Sequence, residues 1–528
     1  MAFLTKCWFQ STRSRKIVTV VAPIVFIYFG FIAGLSTNPP GFYLDESCLA
    51  YNGYLIAHTG AGETGSRFPL YFQCYTDSYV QFANPTHVYL LAAMYLFIPP
   101  SNLSARILAA TMVFIAMLLL GVLAARIANR PVIGVIVALT AMATPWFFEV
   151  SRLVLETFFY PLCIVLFLLF LFNAHRRQSW RFSDNIMIAI ALALITYSYS
   201  IGRLLGPGLA FGLLTFAVDR RALFAVIKTW IVYAVTLIPF IYVFLTNGKV
   251  LTQRLQVLTY ITADESWWSI AQQFTSNFLE DLSPTFLLFD GDQIARHHVP
   301  VIGEIFAATF VLAIIGVTMV LVRHRGDAWW RFIIYGAILS IVPGAITNDR
   351  YHSLRLLAFP VFLMILTVPA LSWLIGSRST VADEKRTGGS RAVILAGRAV
   401  LGLLLISALA QAVYFQLEFR KWGLDREVAF DAAYPVLLDK ALAEPQRPIY
   451  LKDGAFGPAY IHALWYATVK GIDVSNFHHL VLWDYPPPDS LVLSSDQECS
   501  DCDLIFQKDL YILYKTIDPA AGTTTPDR

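Results

Sequence analysis

Asp45, Glu46, Asp77, Glu149, Arg152, Glu156, Arg203, Arg296, His297, His298, Asp349, Arg350, His352 and Arg355 stand at the ends of long apolar runs or in the segments between them. Carboxylates and cations gathered at such boundaries can divide a chemical task. A carboxylate within hydrogen-bond reach of a hydroxyl can take its proton as the oxygen attacks. Cations can hold a phosphate and stabilise the charge that grows on it as it leaves, and arginine does so through a two-pronged fork. Together they fit sugar transfer from a lipid-phosphate carrier, whose tail lies in a bilayer and whose head lies just outside.

The apolar runs must position these groups, and they dominate the chain. Of 528 residues, 57% are hydrophobic and 14% charged, and mean hydropathy is +0.59. Soluble domains are nearer about 45–50% and about 25%. Eleven runs approach the length of a span: 17–36, 103–126, 131–148, 153–173, 185–201, 203–218, 222–246, 300–322, 331–347, 354–376 and 393–417. This is the pattern of an α-helical polytopic membrane protein, with bilayer lipid as its surroundings. The net charge of +3 is spread over short loops with no basic stripe, so nucleic acid is not an expected partner. The first run follows "TRSRK" and precedes "GFYLDES", which lacks a small-residue cleavage site, so it reads as a retained anchor and not a removed signal peptide.

The segment 85–100 is short and bounded by prolines. If it lies along the outer surface, the basic loops 126–130, 173–181, 219–222, 323–331 and 377–391 share the side of the basic N-terminus. That side is then cytoplasmic by the positive-inside rule. The expected layout is an inner-membrane protein with its N-terminus in the cytoplasm. Residues 1–376 form the membrane module with outer loops 37–102 and 247–299. Residues 377–417 hold a cytoplasmic loop and the last span, and 418–528 form an extracytoplasmic domain. In that tail "PIYLKDG", "SLVLSS" and "LYILYKTI" read as strands and "PAYIHALWYATVKG" as a helix, a small α/β layer. No internal repeat is present. Cysteines pair by segment, Cys48 with Cys74 and Cys499 with Cys502, as suits an oxidising compartment. "CSDC" with the histidines at 478–479 is the alternative, a zinc site.

The stretches "YLDESCLAYNGYLIAHTG", "FPLYF", "PWFFEVSRLVLE", "YSYSIGR", "FDGDQIARHHVPVIGE" and "NDRYHSLRLLAFP" occur in order over 17–376. They resemble the GT-C superfamily of membrane glycosyltransferases, and most closely the bacterial members similar to protein O-mannosyltransferases and lipid A aminoarabinose transferases (glycosyltransferase family 39-like). Residues 377–528 carry no motif of the family. The resemblance implies a polyprenyl-phosphate sugar donor, inversion at the anomeric carbon and a site on the outer face. It implies Asp45 as catalytic base with Glu46 beside it, Glu156 as the second acidic residue, and Arg152 as a phosphate or structural contact. Nearer relatives need no divalent metal, so no metal or cofactor is expected.

Each residue also has an ordinary reading. Asp45 could cap a helix over 45–57, and Glu46 could be a solvated first-turn acid. Arg152 and Glu156 are four apart and could form a salt bridge at a span end. Arg203 could be an interface anchor. His352 and Arg355 share one turn and can face one phosphate, with Arg296 and His297 as further phosphate contacts. Tyr43, Tyr71 and Tyr75 read as interface aromatics. The acceptor, a protein, lipid or glycan hydroxyl, is not legible, nor is the sugar. A lipid-sugar flippase would place polar groups at mid-membrane depth, and an assembly protein would leave its carboxylates and cations apart in space.

Overall fold

The computed structural model describes residues 12–76, 79–376, 391–454, 457–481, 484–496, 499 and 502–517. Asp77 and the loop 377–390 fall outside them. Among the described residues, three helices are long and apolar enough to cross a membrane: Asn102–Ala128, Ala328–Ala345 and Leu395–Trp422. Arg220–Thr236 and Ile238–Asn247, bent by 47° at their junction, make a fourth if taken together. The other apolar helices are shorter than the sequence runs, for identifiable reasons. The run 131–148 breaks at Thr144, ahead of Pro145, into Pro131–Ala143 and Pro145–Val150. The run 153–173 is helical only from Tyr160 to His175, because its first residues turn towards the interior. An apolar run is thus an upper bound on the helix it contains.

Small residues let these helices approach closely, as packing in lipid requires. A side chain on Gly121 would meet the Gly134 carbonyl oxygen at 2.6 Å, and one on Gly134 would meet that of Gly121 at 2.4 Å. The helices Asn102–Ala128 and Pro131–Ala143 therefore touch backbone to backbone.

The first long connection carries helix Leu44–Thr59, called here the base helix. Tyr43, not Asp45, is its N-cap, and Glu46 Oε2 accepts the Tyr43 N–H at 2.9 Å. Gly60 closes it with a φ of +70°. Helix Pro85–Tyr95 packs across it at Gly53, where an added Cβ would lie 2.8 Å from Leu91 Cβ. Strands β1 (Phe72–Cys74) and β2 (Gln81–Ala83) form an antiparallel hairpin beside it.

The C-terminal unit has a five-stranded sheet of β3 (Ile449–Lys452), β4 (Phe477–Leu480), β5 (Leu491–Ser494), β6 (Cys502–Lys508) and β7 (Tyr511–Thr516). The order is β4-β3-β5-β7-β6, with β3 parallel to both its neighbours and β7 antiparallel to both of its own. Helix Tyr460–Lys470 follows β3 and docks on the base helix. Ser47 Oγ lies 2.8 Å from His462 Nδ1, and Trp465 Nε1 donates to Asn102 Oδ1 at 2.7 Å. His462 Nε2 is 3.3 Å from Asp431 Oδ2, which also accepts from Tyr511 through Oδ1 at 2.6 Å. Ser47 and His462 are fully buried, so the contact is an internal polar seam.

Candidate active site

A cavity of about 560 Å³ opens where the base helix, the hairpin and the stretches 251–258, 294–297 and 343–355 meet. Asp45 enters it from the first turn of the base helix. Tyr75 donates to Asp45 Oδ1 at 2.5 Å from the loop after β1. Tyr75 is buried, 2% exposed, so it is not an interface aromatic. Cys48 is bonded to Cys74, with a Cα separation of 6.0 Å, which ties the base helix to the hairpin.

Glu156 lines the same cavity. The Asn84 backbone N–H donates to its Oε1 at 2.6 Å and the Asn84 side-chain amide to its Oε2 at 2.8 Å. Arg203 donates to Asn84 Oδ1 at 3.0 Å and to the Leu251 carbonyl at 2.6 Å. Asn84 thus bridges a carboxylate and a guanidinium across the cavity wall. Arg355 reaches the cavity too, donating to Thr347 Oγ1 at 2.6 Å and pairing with Asp349. Arg296 lines the wall with its guanidinium 3.9 Å from the Tyr43 ring centroid.

Arg254, which sequence reading missed, sits on helix Lys249–Leu258 and donates to Gln81 Oε1 at 3.3 Å. It lines the cavity and is exposed there. Burial disfavours its charge, but Asp45 and then Glu156 outweigh this and raise its pKa above the usual range. The signal that could have found it is a lone arginine in "LTQRLQVL", whose apolar residues recur at helical spacing in a connection otherwise poor in cations.

Two residues assigned to the site from sequence lie elsewhere. Glu46 is fully buried, pairs with Arg106 at 3.1 Å and accepts the Val154 N–H at 2.8 Å. It faces the protein interior because the third residue of a helix turns back towards its cap, so it is structural and not catalytic. Arg152 does not line the cavity. Its guanidinium lies 4.0 Å from the Phe148 ring centroid and donates to the carbonyls of Phe31 and Ala33. It pins the end of the first helix instead of meeting a phosphate.

His297 and His352 meet at Asp292. His297 Nδ1 lies 3.1 Å and His352 Nδ1 3.8 Å from Asp292 Oδ2, which also accepts from the Ser353 N–H and hydroxyl at 2.9 and 2.8 Å. Burial, then the His297 charge and Arg355, push the His352 imidazole down to about 3, so at neutral pH it is a neutral hydrogen-bonding group and not a cation. Burial works against the Asp292 charge, but the His297 hydrogen bond and charge prevail and hold that carboxyl below its ordinary value. One donor atom from each of the three residues lies within 4.8 Å of the others, so the trio has the chemistry to hold a divalent ion. Cys499 is bonded to Cys502, and His479 lies 2.8 Å from Asp453 Oδ2, which leaves the zinc reading of "CSDC" without its ligands.

The rest of the cavity is apolar. Leu204, Phe240, Phe244, Leu251, Leu255 and Leu258 line it, and Phe244 and Leu255 are also half exposed on the protein exterior. The site therefore combines charged groups with an extensive apolar lining.

No family profile and no curated protein matches the chain. Solved structures do. ArnT from Cupriavidus metallidurans bound to undecaprenyl phosphate aligns over 96% of this chain and 99% of its own, with a TM-score of 0.55 at 14% identity. The apo form of the same protein aligns over 96% and 98%, at 0.55 and 13%. An oligosaccharyltransferase from Archaeoglobus fulgidus aligns over 86% of this chain and 62% of its own, at 0.49 and 12%. The likeness to ArnT extends through the C-terminal sheet, and the chain has the GT-C fold.

Proposed function

We propose that the protein is a membrane glycosyltransferase that moves a sugar from a polyprenyl-phosphate carrier to a hydroxyl acceptor at the outer face of the inner membrane, with inversion at the anomeric carbon. The observation that carries this reading is the composition of one cavity. A carboxylate, Asp45, shares one cavity with the guanidinium groups of Arg203, Arg254 and Arg355, and apolar side chains line the same space. ArnT, which shares the fold, was solved bound to undecaprenyl phosphate.

In this reading the polyprenyl tail runs along the apolar lining of the cavity and its phosphate lies among the arginines. Asp45 takes the proton of the acceptor hydroxyl. The acceptor oxygen bonds to the anomeric carbon from the face opposite the phosphate, and the bond from that carbon to the phosphate oxygen breaks. The electron pair stays with the phosphate, where the guanidinium groups stabilise it. Glu156 holds Asn84, which orients Arg203. The same reading takes the three long apolar helices, the bent pair and seven shorter apolar helices as the eleven spans, and Pro85–Tyr95 as a helix along the outer surface.

Asp45→Asn tests the reading. It keeps the side chain's size and removes its capacity to take a proton. Turnover by purified protein should fall about 10²-fold or more, while undecaprenyl phosphate still binds. Unchanged turnover would remove Asp45 from the mechanism.

A further inference from the structure

Tyr75 stands in a conformation that its side chain disfavours. Its φ is +68°, in the left-handed region, where a bulky residue is an outlier that needs outside support. The support is visible. Cys74, immediately before it, is bonded to Cys48 and paired with Gln81 across the hairpin. Gln73 Nε2 donates to the Tyr75 carbonyl at 3.1 Å. The phenol that this backbone aims inward donates to Asp45 Oδ1 at 2.5 Å. Cys48 lies one turn along the base helix from Asp45. The same disulfide therefore ties both ends of the Tyr75–Asp45 hydrogen bond through a short covalent path, Asp45–Cys48–Cys74–Tyr75, which the hydrogen bond closes.

Burial and then the nearby Asp45 charge hold the Tyr75 phenol well above its ordinary pKa, so it stays protonated and its O–H donates to the carboxylate. Asp45 Oδ1 is thereby engaged, and Oδ2 has no side-chain or backbone partner among the described residues. Asp45 is also the strongest carboxylate influence on Arg254, towards which a freely turning carboxylate would swing.

We infer that Tyr75 is a positioning residue for the transfer step: its phenol fixes the Asp45 carboxylate so that Oδ2 faces the acceptor hydroxyl, and the Cys48–Cys74 disulfide holds Tyr75 in place to do so. The inference rests on the glycosyl-transfer reading above. In the step, the acceptor proton passes to Oδ2 and the Tyr75 proton does not move. A base held in one orientation gains rate through proximity alone, and a small misplacement is costly.

The test uses full-length protein in detergent or nanodiscs. Undecaprenyl phosphate is the binding probe. Undecaprenyl-phosphate mannose and undecaprenyl-phosphate aminoarabinose, with cell-envelope extract as acceptor, are the turnover probes. Tyr75→Phe should lower kcat by about tenfold or more, with donor KM and undecaprenyl phosphate affinity within about twofold of the wild type and melting temperature little changed. A smaller loss of kcat would overturn the proposal, as would kcat, affinity and melting temperature falling together, which is the mark of a purely structural residue. The double variant Cys48→Ser/Cys74→Ser repeats the test without touching the phenol. It should show the same kcat loss with affinity retained, and wild-type kcat there would remove the disulfide from the clamp. If the wild type turns over neither donor, the transfer reading falls and takes the proposal with it. If the wild type is active, Asp45→Asn is inactive and Tyr75→Phe is as active as the wild type, the proposal alone fails.

Discussion

Asp45 and Glu46 are adjacent acids with opposite surroundings, and the difference separates a chemical role from a structural one. Asp45 faces a cavity, whereas Glu46 is fully buried against Arg106, the Tyr43 N–H and the Val154 N–H. Removing one partner of a buried pair leaves the other charge uncompensated, at a cost of roughly 3–5 kcal/mol. Glu46→Gln should therefore lower the melting temperature markedly while leaving kcat of the folded fraction near the wild-type value. A large kcat loss at unchanged stability would return Glu46 to the site. Asp281 offers a test by pH. It ends helix Trp267–Asp281, is 3% exposed and has Oδ2 unpartnered against Gly344. Burial, then Glu280, raise its pKa to about 7, against an opposing pull from Arg355. The folded state thus holds a proton that the unfolded chain has already released by about pH 4. Stability is full below that value and is lost as pH rises towards 7. Asp281→Asn should melt higher than the wild type at pH 7–8 and converge with it near pH 4. Parallel melting curves across that range would show that Asp281 does not titrate as described.

At the scale of elements, the apolar runs were legible in sequence and their helices were not. A run records which residues prefer lipid or core. Where the backbone breaks within it depends on Thr144–Pro145 and on the inward turn at 151–159, which are set by neighbours far along the chain. The base helix and its Asp45 were readable, because the acids sit beside a periodic segment that follows an apolar run. Arg254 and Asn84 were not, since a lone arginine or asparagine in a connection gains its meaning only from the partners brought to it, Asp45 and Glu156 in these cases. The sequence fragments of the C-terminal unit revealed β3, β5 and β7 but missed β4 and β6, whose residues alternate less cleanly. The orientation of the elements remains a matter of charge, and it is testable. Reporter fusions at positions 128 and 178 should both report cytoplasm, as their flanking basic residues require. An external signal at either would invert the layout and move the cavity to the other face.

At the scale of the whole molecule, the C-terminal unit is a wall of the structure that carries the base and not an appendage. Helix Tyr460–Lys470 seats on the base helix through the buried Ser47–His462–Asp431 seam and through Trp465 against Phe42, whose rings are 5.7 Å apart. His462→Leu would leave Asp431 without its imidazole and Ser47 without a partner. It should destabilise the whole protein by about 3–5 kcal/mol, read as a single lowered melting transition. Two separate transitions, with only the later one unchanged, would mean that the unit folds independently of the base helix.

The seam joins residues that are 415 positions apart. Residue 47 is made long before residue 462, with most of the chain between them. Contacts of such separation form late, after the entropy of closing the intervening loop has been overcome. Only once residue 462 has been made can the base helix gain the packing of helix Tyr460–Lys470, so a shorter chain would hold Asp45 and the cavity arginines without the support behind the base helix that fixes its place.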